Sequence, residues 1–212
     1  MTTPMDEAGL DDAELNARHN AKMVKIKAAR EKMMAERQLE KGLVVVHTGP
    51  GKGKTTAALG MVIRGIGHGH RVSVIQFLKG ALQTGEKVVF DAFPDNVEFR
   101  RMGEGFTWDT QDRARDIAVA RQAWEACKAR ILDPEDWDMV VCDELNIVLR
   151  YDYLPLAEVL EVLRAKPAHK HVVVTGRNAA PELIELADLV TEMTQVKHPF
   201  RSGVKAQAGV EF

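Results

Sequence analysis

Cysteine is scarce in this chain: two residues in 212, Cys127 and Cys142. Each stands alone, one in a helical pattern and one in an apolar run, so neither metal-ligand spacing nor a disulfide framework is present. Net charge is scarce as well. Twenty-nine basic side chains against 31 acidic ones leave −2, which supplies no global field toward nucleic acid or an anionic membrane. Long apolar runs are missing. Leu43–Val46 and Met139–Cys142 are far too short to cross a bilayer, so no membrane association is expected. The first residues turn acidic at Asp6 and hold no apolar core, which reads as neither a secretory signal nor a transit peptide. These shortages suit a cytoplasmic protein, and a length of 212 residues suits one α/β domain plus an arm, or at most two very small domains.

Proline and glycine are also missing from Asp11–Lys41, a stretch dense in Ala, Glu, Lys, Arg and Met. Such residues favour helix, but Met23, Ile26, Met33, Met34 and Leu39 make only a thin apolar stripe. Residues 1–41 are therefore expected to be a charged helical arm, and residues 42–212 the functional domain. Beyond Gly42, short apolar runs alternate with helical segments. Strands are expected at Leu43–His47, Arg71–Leu78, Val97–Met102, Trp137–Cys142, Lys170–Thr175 and Leu189–Val196. Helices are expected at Thr56–Gly67, Asp109–Leu132, Leu156–Arg164 and Pro181–Ala187. Strands apolar on both faces and alternating with helices predict a mostly parallel sheet covered by helices.

Thr48-Gly-Pro-Gly-Lys-Gly-Lys-Thr-Thr56 lies between a buried strand and a helix, the setting a phosphate-binding P-loop requires. Glycines let backbone N–H groups turn around phosphate oxygens, and the helix N-terminus adds partial positive charge. Thr48, Gly49, Gly51, Lys52, Gly53, Lys54, Thr55 and Thr56 are the expected nucleotide contacts. Lys54 reaches for the outer phosphates, and the Thr55 hydroxyl for a magnesium ion. The usual leading glycine is replaced by Thr48, with Gly49 one residue late, so the loop is a variant that hints at an unusual placement of the triphosphate. A second acidic half is expected at the end of a buried strand, and Met139–Glu144 supplies it. Asp143 and Glu144 join Thr55 as metal candidates for Mg²⁺ or Mn²⁺, which oxygen ligands alone do not separate.

The other chemistry-bearing residues are thinly spread. His68 and His70 flank Gly69, and His169 and His171 surround a strand start, without the carboxylates or cysteines a metal site wants. No Ser-His-Asp set or cysteine nucleophile is evident. Phe106 and Trp108 sit in a glycine-bearing loop, either as anchors in the core or as a flat apolar wall for a large planar ligand.

From Gly42 onward the chain resembles the P-loop ATP:corrinoid adenosyltransferases of cobalamin biosynthesis. The resemblance rests on Thr48–Thr56, Gly67–His70, Gln76–Gly80, Gly105–Trp108, Asp138–Leu145, Tyr151–Leu156, Thr175–Arg177, Val196–His198 and Gly203–Gln207, in that order. Pro50 and the longer acidic N-terminus depart from the family pattern. The resemblance implies a RecA-like sheet and a homodimer, with the arm covering a nucleotide site. It implies transfer of the 5′-deoxyadenosyl group of ATP to the cobalt(I) of a reduced corrinoid, with triphosphate leaving and a reduced flavoprotein as electron donor. It further implies that Lys54, Phe106 and Trp108 are catalytic, the two aromatics displacing the lower axial ligand of cobalt(II). Arg177 is implied as a nucleotide contact, and Arg64 more weakly. Two rival readings of the same P-loop are a small-molecule kinase, which would yield ADP, and a RecA-like ATPase, which would want a basic stripe. A regulatory module without turnover would make no use of Phe106 and Trp108.

Overall fold

The computed structural model describes residues 11–78, 84–103 and 112–211. The chain forms two compact units, Met1–Glu40 and Lys41–Phe212. The first carries one helix, α1 (Asp12–Ala35), begun by the Asp11 carboxylate accepting from the Glu14 amide at 2.8 Å. Asp12 and Glu14 in its first turn and Lys32 in its last suit the helix dipole. None of its residues is buried.

The second unit is an all-parallel sheet of six strands in the order β3-β2-β4-β5-β1-β6. Its elements run β1 (Val44–Thr48), α2 (Lys54–Gly67), β2 (Val72–Gln76), α3 (Gly85–Phe90), β3 (Val97–Arg101) and α4 (Arg113–Leu132). They continue with β4 (Met139–Asp143), α5 (Leu145–Arg150), α6 (Leu156–Ala165), β5 (His171–Thr175), α7 (Pro181–Leu186) and β6 (Leu189–Glu192). A 3₁₀ turn, Pro199–Ser202, follows. The α/β class with a helix-covered parallel sheet holds as expected. Apolar burial on both faces holds for β1, β2 and β4, every residue of which is buried. It fails for β6, exposed throughout at the sheet edge, and for β3 at the opposite edge, where only Val97 is buried.

Two apolar cores flank the sheet. Val45, Val74 and Val141 pack with Ala58, Leu59 and Val62 of α2 and Phe90 of α3. Val46, Ile75, Cys142 and Val174 pack on the other face with α4, α5, α6 and α7, through Trp124, Leu145, Leu160 and Leu183. Trp124 is the largest fully buried side chain among the described residues, and its indole N–H donates to Glu158 at 2.9 Å. Truncating such a residue to Ala costs about 3–5 kcal/mol.

Element ends differ from the sequence expectation where a specific contact intervenes. The helix after the loop starts at Lys54, two residues early, on a left-handed Gly53 (φ 105°). The long helix begins at Arg113, because the Asp112 carboxylate caps it by accepting from the Arg115 amide at 3.1 Å. The last strand stops at Glu192 rather than Val196. Met193 leaves the sheet with its amide donating to Thr48 O at 2.9 Å and its carbonyl accepting from Gly51 at 2.7 Å. The short helices α3 and α5, six residues each, have no counterpart among the helices expected from sequence, whereas α7, equally short, is opened by Pro181 at its first position.

Candidate active site

Parallel strands bring their C-terminal ends to one side of the sheet, where an open α/β fold places its ligands. The loop between β1 and α2 lies on that side. Gly49 takes φ 96°, and a β-carbon there would sit 2.5 Å from Met193 O. Thr48, by contrast, is the last residue of β1. Its hydroxyl accepts from the Ala179 amide at 3.1 Å. The late glycine thus makes the turn, and Thr48 needs no special backbone conformation. Gly51 also approaches the 193–194 backbone too closely for a side chain, since a β-carbon would lie 2.6 Å from Thr194 O.

Lys54 is buried, and its ammonium donates to the carbonyls of Gly51 and, at 2.9 Å, Gly49. Burial lowers its pKa. The Glu144 carboxylate opposes that shift, Arg177 adds to it, and Asp143 opposes it. Two cations and two carboxylates therefore share one electrostatic neighbourhood. Lys52 is exposed and ion-paired with Glu211. Thr56 is exposed on the first turn of α2, and Arg177 is exposed beyond β5.

Asp143 is wholly buried at the end of β4 and accepts from three side chains. Thr55 Oγ1 donates to its Oδ1 at 2.8 Å, Thr175 Oγ1 to the same oxygen at 2.7 Å, and Gln76 Nε2 to Oδ2 at 2.8 Å. Glu144 follows in a left-handed conformation, φ 65° and ψ 20°. Its amide donates to Thr175 Oγ1 at 2.9 Å. The structure thereby bonds the Thr55 hydroxyl to Asp143, with Glu144 next in the chain and close enough to Lys54 to influence its charge.

The fit to a divalent ion can be judged from the donors. Thr55 and the two carboxylates offer oxygen alone, which suits a hard cation such as Mg²⁺. Among the described residues no group of three or more His, Cys, Asp or Glu side chains could hold a metal between them. Mg²⁺ usually takes only one or two protein carboxylates and completes its octahedron with phosphate oxygens and water, so these donors would fit it only in company with a nucleotide. Phe106 and Trp108 lie outside the described residues.

Sequence reasoning gave no site role to Gln76 or Thr175. A signal was available: each of the buried strands β1, β2, β4 and β5 ends in a polar residue (Thr48, Gln76, Asp143, Thr175) after an apolar run. His47, one residue earlier in β1, is buried with both ring nitrogens unpartnered, and burial lowers its pKa.

A parallel helix-covered sheet, a glycine loop opening a helix and a strand-ending carboxylate bonded to the loop threonine define a P-loop nucleotide-binding protein. Comparison with known proteins narrows the class. Residues 40–212 match the family model described as ATP:corrinoid adenosyltransferase BtuR/CobO/CobP, and residues 5–34 match one described as Cob(I)alamin adenosyltransferase N terminal. A corrinoid adenosyltransferase of Sinorhizobium sp. is 58% identical over 199 residues, covering 93% of this chain and 92% of its own. One of Pseudomonas aeruginosa is 52% identical, covering 95% and 99%. The corrinoid adenosyltransferase CobA of Salmonella typhimurium is 45% identical, covering 92% and 98%. The chain belongs to the ATP:corrinoid adenosyltransferase family, an ATP-dependent transferase family, as the ordered motifs led one to expect.

Proposed function

We propose that this protein moves the 5′-deoxyadenosyl group of ATP onto the cobalt(I) of a reduced corrinoid and releases inorganic triphosphate. The family match over residues 40–212 carries the reading. Cobalt(I) gives its electron pair to C5′ of the ribose, the C5′–O5′ bond breaks, and that pair leaves on the triphosphate. The nucleophile belongs to the substrate, so the protein has to hold C5′ against the metal and stabilise charge gathering on the leaving group. In this reading the loop amides, Lys54 and Lys52 hold the triphosphate. Thr55 and Glu144 ligate Mg²⁺, with Asp143 orienting the Thr55 hydroxyl. Bound there, the ion neutralises phosphate charge. Arg177, close enough to Lys54 to lower its pKa, is proposed to contact the nucleotide. Phe106 and Trp108 are proposed as the apolar wall that removes the lower axial donor from cobalt(II) before its reduction.

A reduced flavoprotein is the proposed electron donor and a homodimer the proposed assembly. The exposed edge strand β6, with Leu189 and Val190 at the surface, supports self-association. A cytoplasmic setting is supported by the two free thiols, and no helix among the described residues is long and apolar enough to cross a membrane. The test is an anaerobic assay with ATP, Mg²⁺ and chemically reduced cobalamin, following the visible spectrum and identifying the phosphate product. A light-sensitive cobalt–carbon bond with one triphosphate per corrinoid is expected. An unchanged spectrum with ADP as product would turn the same P-loop into a kinase or ATPase.

A further inference from the structure

The two acidic residues at the end of β4 do not hold their positions by themselves. Glu144 sits in the left-handed region, where a residue with a β-carbon is disfavoured and persists only when its surroundings over-determine it. Those surroundings come from the end of β5. The Thr175 hydroxyl donates to Asp143 Oδ1 at 2.7 Å and accepts from the Glu144 amide at 2.9 Å. One side chain therefore bonds both members of the acidic pair, using its single proton for the first and a lone pair for the second. The next residue completes the seat. Gly176 takes φ 124°, and a β-carbon on it would lie 3.2 Å from Glu144 Oε2 and 2.9 Å from Asn146 Cβ. Its carbonyl accepts from Asn146 Nδ2 at 3.0 Å. The end of β5 is thus stitched to residues 143–146 at the Asp143 carboxylate, at the Glu144 amide and at the first turn of α5.

We infer that Thr175 is a positioning residue for the nucleotide-bound metal: its hydroxyl fixes Asp143, which holds the Thr55 hydroxyl, and the backbone of Glu144, so that Thr55 and the Glu144 carboxylate can both face the ion of MgATP. The inference rests on the proposed reading that Thr55 and Glu144 hold that ion. Thr175 touches neither nucleotide nor corrinoid in this arrangement; it acts through the carboxylates. Asp143 keeps its Thr55 and Gln76 bonds without Thr175, so the buried carboxylate is still partnered when the hydroxyl is deleted. Glu144, whose amide loses the Thr175 oxygen as acceptor, is held less firmly in the left-handed region, and its carboxylate is aimed less firmly. The expected signature is therefore a loss of metal-dependent affinity with metal-free nucleotide affinity retained. A contact needed only for folding would reduce both.

The experiment uses the full chain and titrates ATP calorimetrically at graded Mg²⁺ and again with EDTA. Thr175→Val should bind ATP in Mg²⁺ at least ~10-fold more weakly than wild type, the scale on which partners of metal ligands act, and within about 2-fold of wild type in EDTA. Thr175→Ser, which keeps the hydroxyl, should stay within about 3-fold of wild type in both. Equal Mg²⁺-dependent affinity in Thr175→Val and wild type would overturn the inference. So would parallel losses with and without the metal, or a Thr175→Ser variant as impaired as Thr175→Val. If Thr175→Val does not fold, Thr175→Ala is titrated in its place, and failure of both to fold would assign Thr175 to the core instead. The outcomes separate from the underlying reading. Wild-type ATP affinity indifferent to Mg²⁺ would sink the metal assignment itself. Lack of corrinoid adenosylation would sink the transferase reading while leaving the titrations decisive for Thr175.

Discussion

One substitution made at two glycines should have opposite signs. At Gly49 the backbone is at φ 96°, and a methyl group would sit 2.5 Å from Met193 O, 2.7 Å from Met193 N and 2.9 Å from Glu192 Cγ. Two of those atoms are backbone and cannot swing aside. Forcing an alanine into left-handed geometry costs roughly 1–2 kcal/mol. Crowding a packed site adds about 1–3 kcal/mol. Gly49→Ala is therefore expected to destabilise by about 2–5 kcal/mol, a large part of the ~5–15 kcal/mol that holds a domain together. Gly60 is exposed in α2, and a methyl group there meets nothing within 4 Å. Gly60→Ala should stabilise by about 0.5–1 kcal/mol, because a helix-interior glycine surrenders more backbone freedom on folding than alanine does. Urea unfolding of the two variants beside wild type reads both signs through the midpoint at constant slope. ATP titration adds the functional half. Pushing the loop off Met193 should cost at least ~10-fold in affinity, or about 1.4 kcal/mol, in Gly49→Ala and nothing in Gly60→Ala. A Gly49→Ala protein as stable as wild type, or two variants shifted in the same direction, would refute the account of the loop.

Further expectations concern the core, the pH profile and the aromatic loop. Lys170 is fully buried, and its ammonium donates to the carbonyls of Arg130 at 2.7 Å, Asp136 at 2.6 Å and Asp133. Lys170→Met strips the end of α4 and the turn after it of these partners, and about 3–5 kcal/mol should be lost in urea unfolding; a loss under about 1 kcal/mol would mean water replaces the ammonium there. His47 is buried with both nitrogens unpartnered, and burial holds its pKa below the ordinary value of 6.5. The unfolded chain then takes up a proton that the folded chain resists, so stability is present above 6.5 and falls as pH drops through it toward the lower folded value. His171, lowered chiefly by burial, has the same sign. His47→Phe should shrink the drop in thermal midpoint between about pH 8 and about pH 5.5 without abolishing it, and an unchanged drop would clear His47 of any part. Phe106→Ala and Trp108→Ala should each slow adenosylation far more when cobalt(II) corrinoid and an electron donor are supplied than when the corrinoid is already chemically reduced; equal losses in the two assays would count against the axial-ligand role.

The sheet and its phosphate loop were legible because both are local patterns. Five-residue strands such as Val44–Thr48 and Met139–Asp143 open with short apolar runs, and the loop carries its glycines and lysines in one contiguous stretch. The family was legible from many short segments in order. Strand exposure was not, since an apolar Leu189–Val190 pair reads alike at a sheet edge and in its centre, and strand order decides between them. Nor was the end of the last strand, because Met193 is drawn out of the sheet by the loop backbone, 142 residues earlier in the chain at Gly51.

Register explains why the supporting residues of the site stayed hidden while its carboxylates did not. Gln76 pairs with Arg101 on β3 and Asp143 on β4, and His47 pairs with Thr175 on β5 and Thr191 on β6. The Thr175–Asp143 bond joins the two halves, so one rung of side chains runs across all six strands. In sequence these residues are scattered over more than a hundred positions, and each looks like an ordinary polar residue closing an apolar run. An acidic pair after buried valines is conspicuous at once, whereas a lone glutamine or threonine is not. Yet the rung is fixed tightly, since a slip of one residue in β4 would turn Asp143 toward the face where Cys142 packs with Trp124 and α4. A carboxylate delivered to that apolar core would lack the hydroxyls of Thr55 and Thr175, and burying it unpartnered costs far more than any valine gained in exchange. The same alternation that builds the two cores therefore selects the register that assembles the site. For this reason the buried polar ends of the central strands, rather than the loop alone, specify the place proposed for the nucleotide-bound metal.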